Sequence, residues 1–334
     1  MLPDVSVLMP VRNEAGYLAA ALRSISRQTF SAWELIAIDD GSTDDTPVIL
    51  ADAAAGDSRI RVIRREGGGL VAALNTGLEQ CRAPLIARMD GDDISHPRRL
   101  ELQAAYLDSH GDVGLVATGF RHFPRQELKQ GMYAYEVWQN SLTCHEAIMQ
   151  DRFVESPFVH PSVMVRRNLF DSVGGYRDCG WAEDYDLWLR IAETGTRFAR
   201  LPQQLFFWRD HPDRATRTDA LYSTEAFRSC KFHYLMKGPL AGRDCVAIAG
   251  AGLEGRAWQR LLAGSGISVS AWIDVDPRKV GRTLHGAPVY GTGHLTDLSV
   301  MVLVAIGVRG ARDQFRDLVA PFGMQEGRDF ICVA

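Results

Sequence analysis

Ala87-Arg88-Met89-Asp90-Gly91-Asp92-Asp93 is the stretch around which the rest of the chain is organised. A short apolar run, residues 84–87, leads into it, and Pro97 opens a helix-like segment beyond it. Three carboxylates within four positions repel one another, so a fold that gathers them supplies a cation. Oxygen-rich sites of this kind suit Mg²⁺ or Mn²⁺, which also hold substrate phosphates. The same residue types form ordinary solvated turns. Local sequence leaves both readings open.

Upstream, Val5-Ser6-Val7-Leu8-Met9 reads as a buried strand, and Asn13 is placed to cap a helix whose apolar face carries Leu18, Ala21, Leu22 and Ile25. Leu35-Ile36-Ala37-Ile38 is a second strand ending at Asp39-Asp40-Gly41-Ser42, with Ser42 or Thr43 as the cap of a helix through Val48, Leu50 and Ala51. Residues 60–63 and 84–89 are strand-like, and residues 70–78 helix-like. Strands alternating with helices predict a mostly parallel, doubly wound α/β sheet, in which ligands bind beyond the carboxyl ends of the strands. The three polar clusters, residues 10–14, Asp39-Asp40 and Asp90-Gly91-Asp92, all fall at such ends and should share one crevice. That context favours a functional acidic stretch over a plain turn.

A helix through Leu100 and Leu107 and a strand over 113–118 follow. Residues 119–149 have weak periodicity and several aromatics, which suits an insertion shaping a pocket or packing as a lid. Strand character returns over 158–165, and a largely buried helix starts near Glu183. Acidic residues in a first turn favour the helix dipole, so capping alone accounts for Glu183 and Asp184. Phe206-Phe207-Trp208-Arg209-Asp210-His211 closes a first domain, and a helix over 221–236 precedes the break at Gly238-Pro239. Domains over 1–237 and 238–334 are expected. In the second, a strand at 245–249 runs into Gly250-Ala251-Gly252-Leu253-Glu254-Gly255, and a later strand ends at Asp274. Glycine turn, helix and a following acid form the layout of a dinucleotide-binding half, with Gly250, Gly252, Gly255 and Asp274 as its contacts and NAD(P) as its ligand. About 90 residues are too few for a dehydrogenase with its own substrate domain. A structural or docking module is the alternative.

A net charge of -4 and a pI near 6.1 argue against nucleic acid as the main partner. No apolar run reaches the ~18 residues of a membrane span, and the first residues lack the pattern of a signal peptide. Six scattered cysteines without a C-x-x-C pair suit reduced thiols and a cytoplasmic location.

Together these pieces resemble glycosyltransferase family 2, with its nucleotide-sugar-binding GT-A fold. Six segments carry the likeness, in order: residues 6–14, 38–44 and 86–93, then His160-Pro161-Ser162, Ala182-Glu183-Asp184-Tyr185-Asp186 and Trp208-Arg209-Asp210-His211. The resemblance implies a GT-A-type mixed sheet followed by a small Rossmann-like domain. It also implies an Mg²⁺- or Mn²⁺-dependent, inverting hexosyl transfer from a nucleoside-diphosphate sugar to a saccharide or lipid-linked acceptor in surface-glycan synthesis. Donor contacts would come from Pro10, Arg12, Glu14, Asp40 (to the base), Arg88, Asp90 and Asp92. Metal ligands would be Asp90, Asp92 and His211. Asp184 would be the general base, and His160, Trp181 and Glu183 would line the acceptor side. The absence of Q-x-x-R-W after Asp184, and of membrane spans, points to a non-processive enzyme. Peripheral membrane association and a homo-oligomer are both compatible with this reading. The competing reading makes the C-terminal unit the active part, as an oxidoreductase or nucleotide-sugar-modifying domain, or a non-catalytic sensor or oligomerisation module. No catalytic Tyr/Lys or His arrangement follows Gly255.

Overall fold

The computed structural model describes residues 2–334. They form two compact units, one running to Met149 and including Pro157–Tyr222, the other Gln150–Ser156 with Ser223–Ala334. In the first unit the chain alternates β1 (Val5–Val11), α1 (Leu18–Ser26), β2 (Trp33–Asp40), α2 (Thr46–Gly56), β3 (Ile60–Arg65), α3 (Leu70–Gln80) and β4 (Leu85–Arg88). It continues through β5 (Ile94–Ser95), α4 (Arg99–Ser109), β6 (Val113–Phe123), α5 (Gln130–Ser141) and α6 (His145–Asp151). The last pieces are β7 (Met164–Arg166), α7 (Arg167–Val173), α8 (Glu183–Glu193), β8 (Arg197–Arg209) and α9 (Ala215–Thr218).

Eight strands lie in the order β3-β2-β1-β4-β7-β6-β8-β5. The first four are parallel, β7 is antiparallel to both neighbours, and β5 is antiparallel to β8. β1 and β2 are buried along their whole length, as expected of central strands covered on both faces. On α1, Leu18, Ala21, Leu22 and Ile25 are all buried, each larger side chain contributing roughly 1.5–3 kcal/mol.

Several local expectations change. Asn13 does not cap α1, whose N-cap is Tyr17; it sits in a left-handed conformation (φ 56°) and its Oδ1 accepts from the Thr43 N–H. Neither Ser42 nor Thr43 caps α2, which begins at Thr46 behind Asp45. Their polar groups instead tie the two loops together across the sheet edge. Residues 158–163 are not strand: His160–Ser162 is a 3₁₀ turn closed by Ser162 on the Val159 carbonyl, and only Met164–Arg166 joins the sheet. Pro161 has no N–H to give a ladder. The weakly periodic region is ordered as the end of β6, then α5 and α6. Gly119 is required where β6 shifts register, since a Cβ there would stand 3.0 Å from the Gln203 carbonyl oxygen. The aromatics serve packing there: Phe120 is fully buried against Trp208, and His122 stacks on the same indole at 4.9 Å.

The second unit contains α10 (Thr224–Lys237), β9 (Cys245–Ala249), α11 (Leu253–Gly264), β10 (Ser268–Ile273), β11 (Thr283–Leu284), β12 (Ala287–Tyr290), β13 (Val302–Val304), α12 (Ala311–Val319) and β14 (Phe330–Cys332). Its sheet runs β11-β12-β10-β9-β13-β14, parallel but for the β11–β12 pair. The units divide between Tyr222 and Ser223, a helix earlier than Gly238-Pro239, because α10 packs into the second unit. There Ser223 caps it, Lys231 donates to the Val154 and Val333 carbonyls, and Arg228 pairs with Glu254 at 2.9 Å. No helix among the described residues is long and apolar enough to cross a membrane.

Candidate functional site

Because β2, β1 and β4 are adjacent and parallel, their carboxyl ends bring three polar loops to one edge. The loops after β1 and β2 are sewn together. The Asn13 N–H donates to the Ser42 hydroxyl at 3.0 Å, that of Glu14 to the Thr46 hydroxyl at 2.8 Å, and that of Ala15 to Asp44 at 3.0 Å. Pro10 is buried in β1 opposite Ile38, while Arg12 is exposed beyond the strand end. Asp40 Oδ2 accepts from the Gly68 and Gly69 N–H groups at 3.2 and 2.8 Å, so it fastens the glycine loop after β3. Its Oδ1 is buried, has no hydrogen bond and lies 3.6 Å from Arg65.

At the end of β4 one oxygen each of Asp90, Asp92 and Asp93 come within 4.8 Å of one another. Their surroundings differ. Asp90, the most open, takes a 2.6 Å ion pair from the buried Arg88. Asp92 pairs with His211 Nε2 at 2.8 Å. Asp93 is fully buried; its Oδ1 accepts from the Arg209 N–H at 2.7 Å, while Oδ2 has no partner. Burial, and then the charge of Asp90, raises the proton affinity of Asp92; burial followed by Asp92 and Asp90 raises that of Asp93 well above the carboxylate range. Glu14 joins the cluster from the loop after β1: burial and the charges of Asp92, Asp90 and Asp44 lift its pKa to about 8. Gly91 permits this approach, since a Cβ there would lie 2.7 Å from Val11 Cγ1 and 3.3 Å from Glu14 Cγ. An all-oxygen donor set with an adjoining imidazole fits a hard divalent cation.

Cationic groups that motif reading missed surround these carboxylates. Arg209 Nε donates to the Asp92 carbonyl at 2.6 Å, with its guanidinium between the Tyr17 and Phe123 rings. Arg214 lies over Trp208 at 3.9 Å, near enough for Asp93 and Asp92 to act on it. Arg99 is buried with no carboxylate partner among the described residues, donating to the Arg88 and Val163 carbonyls and to Gln103; burial and the charge of Arg88 bring its pKa down to about 9. Nothing in spacing marks Arg99 as special, because its partners are carbonyls that only the folded sheet brings to it.

The start of α8 carries the remaining candidates. Ala182 occupies the N-cap without a side-chain bond, and half-buried Asp184 accepts from the Tyr185 N–H at 2.6 Å. Glu183 turns inward, 3.4 Å from His160 Nδ1 and accepting from the Tyr222 hydroxyl at 2.9 Å; His160 Nε2 lies 2.8 Å from the Tyr176 hydroxyl. Glu183 and His160 are therefore buried partners of each other. Trp181 gives its indole N–H to Asp186 at 3.2 Å. Burial, then Glu183, Asp184 and in part Asp90, holds Tyr222 protonated; the same carboxylates act on Tyr176. Acidic cluster and helix start thus face common neighbours.

A family model described as glycosyl transferase family 2 matches residues 6–174. The chain is 34% identical over 256 residues to EpsE of Bacillus subtilis, covering 74% of this chain and 87% of that protein. The chain belongs to glycosyltransferase family 2. It is also 31% identical to the O-antigen biosynthesis glycosyltransferase WbnJ of Escherichia coli, covering 70% of this chain and 96% of the relative. The structure of S. aureus TarS 1-349 in complex with UDP-GlcNAc superimposes with a TM-score of 0.58 at 19% identity, over 78% of this chain and 71% of that one. The transferase accordingly has the GT-A fold, a mixed α/β sheet, with a second sheet after it.

In that second unit the three glycines have separate reasons. A Cβ on Gly250 (φ 104°) would lie 2.7 Å from the Ala305 carbonyl oxygen, and one on Gly255 would strike the Gly250 carbonyl; Gly252 meets nothing. Asp274 already accepts from the Ala251 N–H at 2.9 Å, from the Asp276 N–H at 2.9 Å and from Lys279 at 2.8 Å. This carboxylate braces its own glycine turn.

Proposed function

We propose that this transferase moves a hexose from a nucleoside-diphosphate sugar to a saccharide or lipid-linked acceptor hydroxyl, with inversion and one residue at a time, in the synthesis of a surface polysaccharide. The observation that carries the reading is the pairing of Asp92 with His211, beside Asp90, on the sheet edge that also faces the start of α8. Asp90, Asp92 and His211 would hold Mn²⁺ or Mg²⁺, which when bound offsets the charge of the departing diphosphate. The loops ending β1, β2 and β4, with Pro10, Arg12, Glu14, Asp40 and Arg88, would wall the donor pocket. Asp184 would take the acceptor proton as the new bond from that oxygen to the anomeric carbon forms and the bond to the diphosphate breaks. The names of WbnJ and of the TarS complex support the polysaccharide and nucleotide-sugar parts of this reading. For the C-terminal unit, the engagement of Asp274 supports a structural module over an NAD(P) site.

The test is a thermal-shift panel of UDP-glucose, UDP-galactose, UDP-GlcNAc and GDP-mannose with and without Mn²⁺. Stabilisation that needs both nucleotide sugar and metal is expected; none with any donor overturns the donor-site assignment. Asp184→Asn should retain that binding while transfer falls about 10²–10⁴-fold.

A further inference from the structure

Glu183 adjoins the proposed base, yet neither of its oxygens faces an open site. Oε1 lies 3.4 Å from His160 Nδ1, and Oε2 accepts from the Tyr222 hydroxyl at 2.9 Å. His160 is itself oriented from its far side by the Tyr176 hydroxyl, 2.8 Å from Nε2. The carboxylate is thus held from two directions: by the 3₁₀ turn before β7, and by the end of the segment that follows β8. That same segment, residues 210–222, begins with His211 on Asp92 and carries Arg214 over Trp208. One short stretch of chain therefore touches the acidic cluster at one end and the first turn of α8 at the other. The helix has no side-chain cap at Ala182; the Tyr222 hydroxyl holds Glu183 Oε2 while His160 faces Oε1. Tyr222 is half-buried, and its ring can be kept while the hydroxyl is removed.

We propose that Tyr222 is a positioning residue for transfer: by donating to Glu183 it fixes the first turn of α8, and with it the direction of the Asp184 carboxylate. Chemistry of this kind is sensitive to placement, a displacement of about 1 Å at a reacting group costing as much as 10²-fold. The contact is charge-assisted and buried, the setting in which a hydrogen bond holds geometry best. Asp184, Asp90, Arg88, Tyr176 and His160 also act on this pair, and none replaces the hydroxyl. The inference rests on Asp184 being the base.

The experiment compares Tyr222→Phe, Asp184→Asn and the double variant in the full chain. It measures UDP binding with Mn²⁺ and nucleoside-diphosphate release from UDP-glucose, UDP-galactose, UDP-GlcNAc and GDP-mannose with saccharide acceptors. Tyr222→Phe should keep UDP–Mn²⁺ affinity and donor KM within about twofold while kcat falls about 10- to 100-fold. In the Asp184→Asn background the same change should cost nothing further, because the two act through one group. A Tyr222→Phe kcat within threefold of the parent, or an equal loss in both backgrounds, overturns the proposal. Full turnover by Asp184→Asn sinks the base reading itself, a different result. Should Tyr222→Phe lose its fold, Glu183→Gln, which trades the charge-assisted bond for a neutral one, is expected to lower kcat about tenfold with unchanged UDP–Mn²⁺ binding. A Glu183→Gln kcat within about threefold of the parent overturns the positioning role.

Discussion

Glu14 offers the sharpest check on the electrostatics of the sheet edge. Its carboxyl is lifted from 4.5 to about 8 by burial and by the charges of Asp92, Asp90 and Asp44. The fold therefore prefers the protonated form. Whatever stability Glu14 permits is intact below pH 4.5 and is lost as pH rises towards 8. At 1.36 kcal/mol per unit, the loss reaches about 3 kcal/mol by pH 7 and levels off near 5 kcal/mol above pH 8. Glu14 keeps part of its surface in water, and screening brings the expected effect at pH 7 down to about 1.5–3 kcal/mol. Glu14→Gln removes the titration but keeps the shape of the neutral acid. In urea unfolding at pH 5, 6, 7 and 8 with a chelator present, the variant should match the parent to within about 1 kcal/mol at pH 5 and exceed it progressively above. Saturating Mn²⁺ should shrink the difference, because a cation beside Asp90 and Asp92 counters the repulsion that raises Glu14. Parallel stability curves for the two proteins from pH 5 to 8 would refute this reasoning.

Three further outcomes are expected. His211→Ala should abolish the Mn²⁺-dependent part of nucleotide-sugar stabilisation in thermal shift while leaving the melting point of the free protein nearly unchanged; preserved metal dependence would remove His211 from the ligand set. Gly91→Ala should cost about 1–3 kcal/mol in urea unfolding, because its Cβ would stand 2.7 Å from Val11 Cγ1, and should weaken Mn²⁺ binding as the acidic loop moves. Asp274→Ala leaves the Ala251 N–H and the Lys279 ammonium without their acceptor, so it should destabilise the C-terminal unit by about 1–3 kcal/mol, read by hydrogen exchange at Ala251 and its neighbours.

Much of the architecture was legible because it is written in local periodicity. The burial of Leu18, Ala21, Leu22 and Ile25 follows from helical spacing, and β1, β2 and β4 follow from short apolar runs. Strands ending in polar clusters, read with the parallel rule, were enough to bring Asp40, Asp90 and Asp92 to one edge. Local polar residues were less informative. Asn13, Ser42 and Thr43 have the chemistry of caps, yet their partners are one another across two loops, 29 and 30 positions apart.

The sequence by itself thus determined the alternation of β1 to β4 with α1 to α3, the family and the chemical character of the acidic stretch, since each depends on residues near one another in the chain. Only the tertiary structure decided how those carboxylates differ. Asp90 is open and held by Arg88, Asp92 is joined to a histidine 119 positions away, and Asp93 is sealed beneath them on the Arg209 N–H. It also decided that Glu183 is a buried partner of His160 and Tyr222, and that Asp274 braces its own turn. Solvation and partner geometry set what a carboxylate does, and both come from chain segments that no local pattern connects.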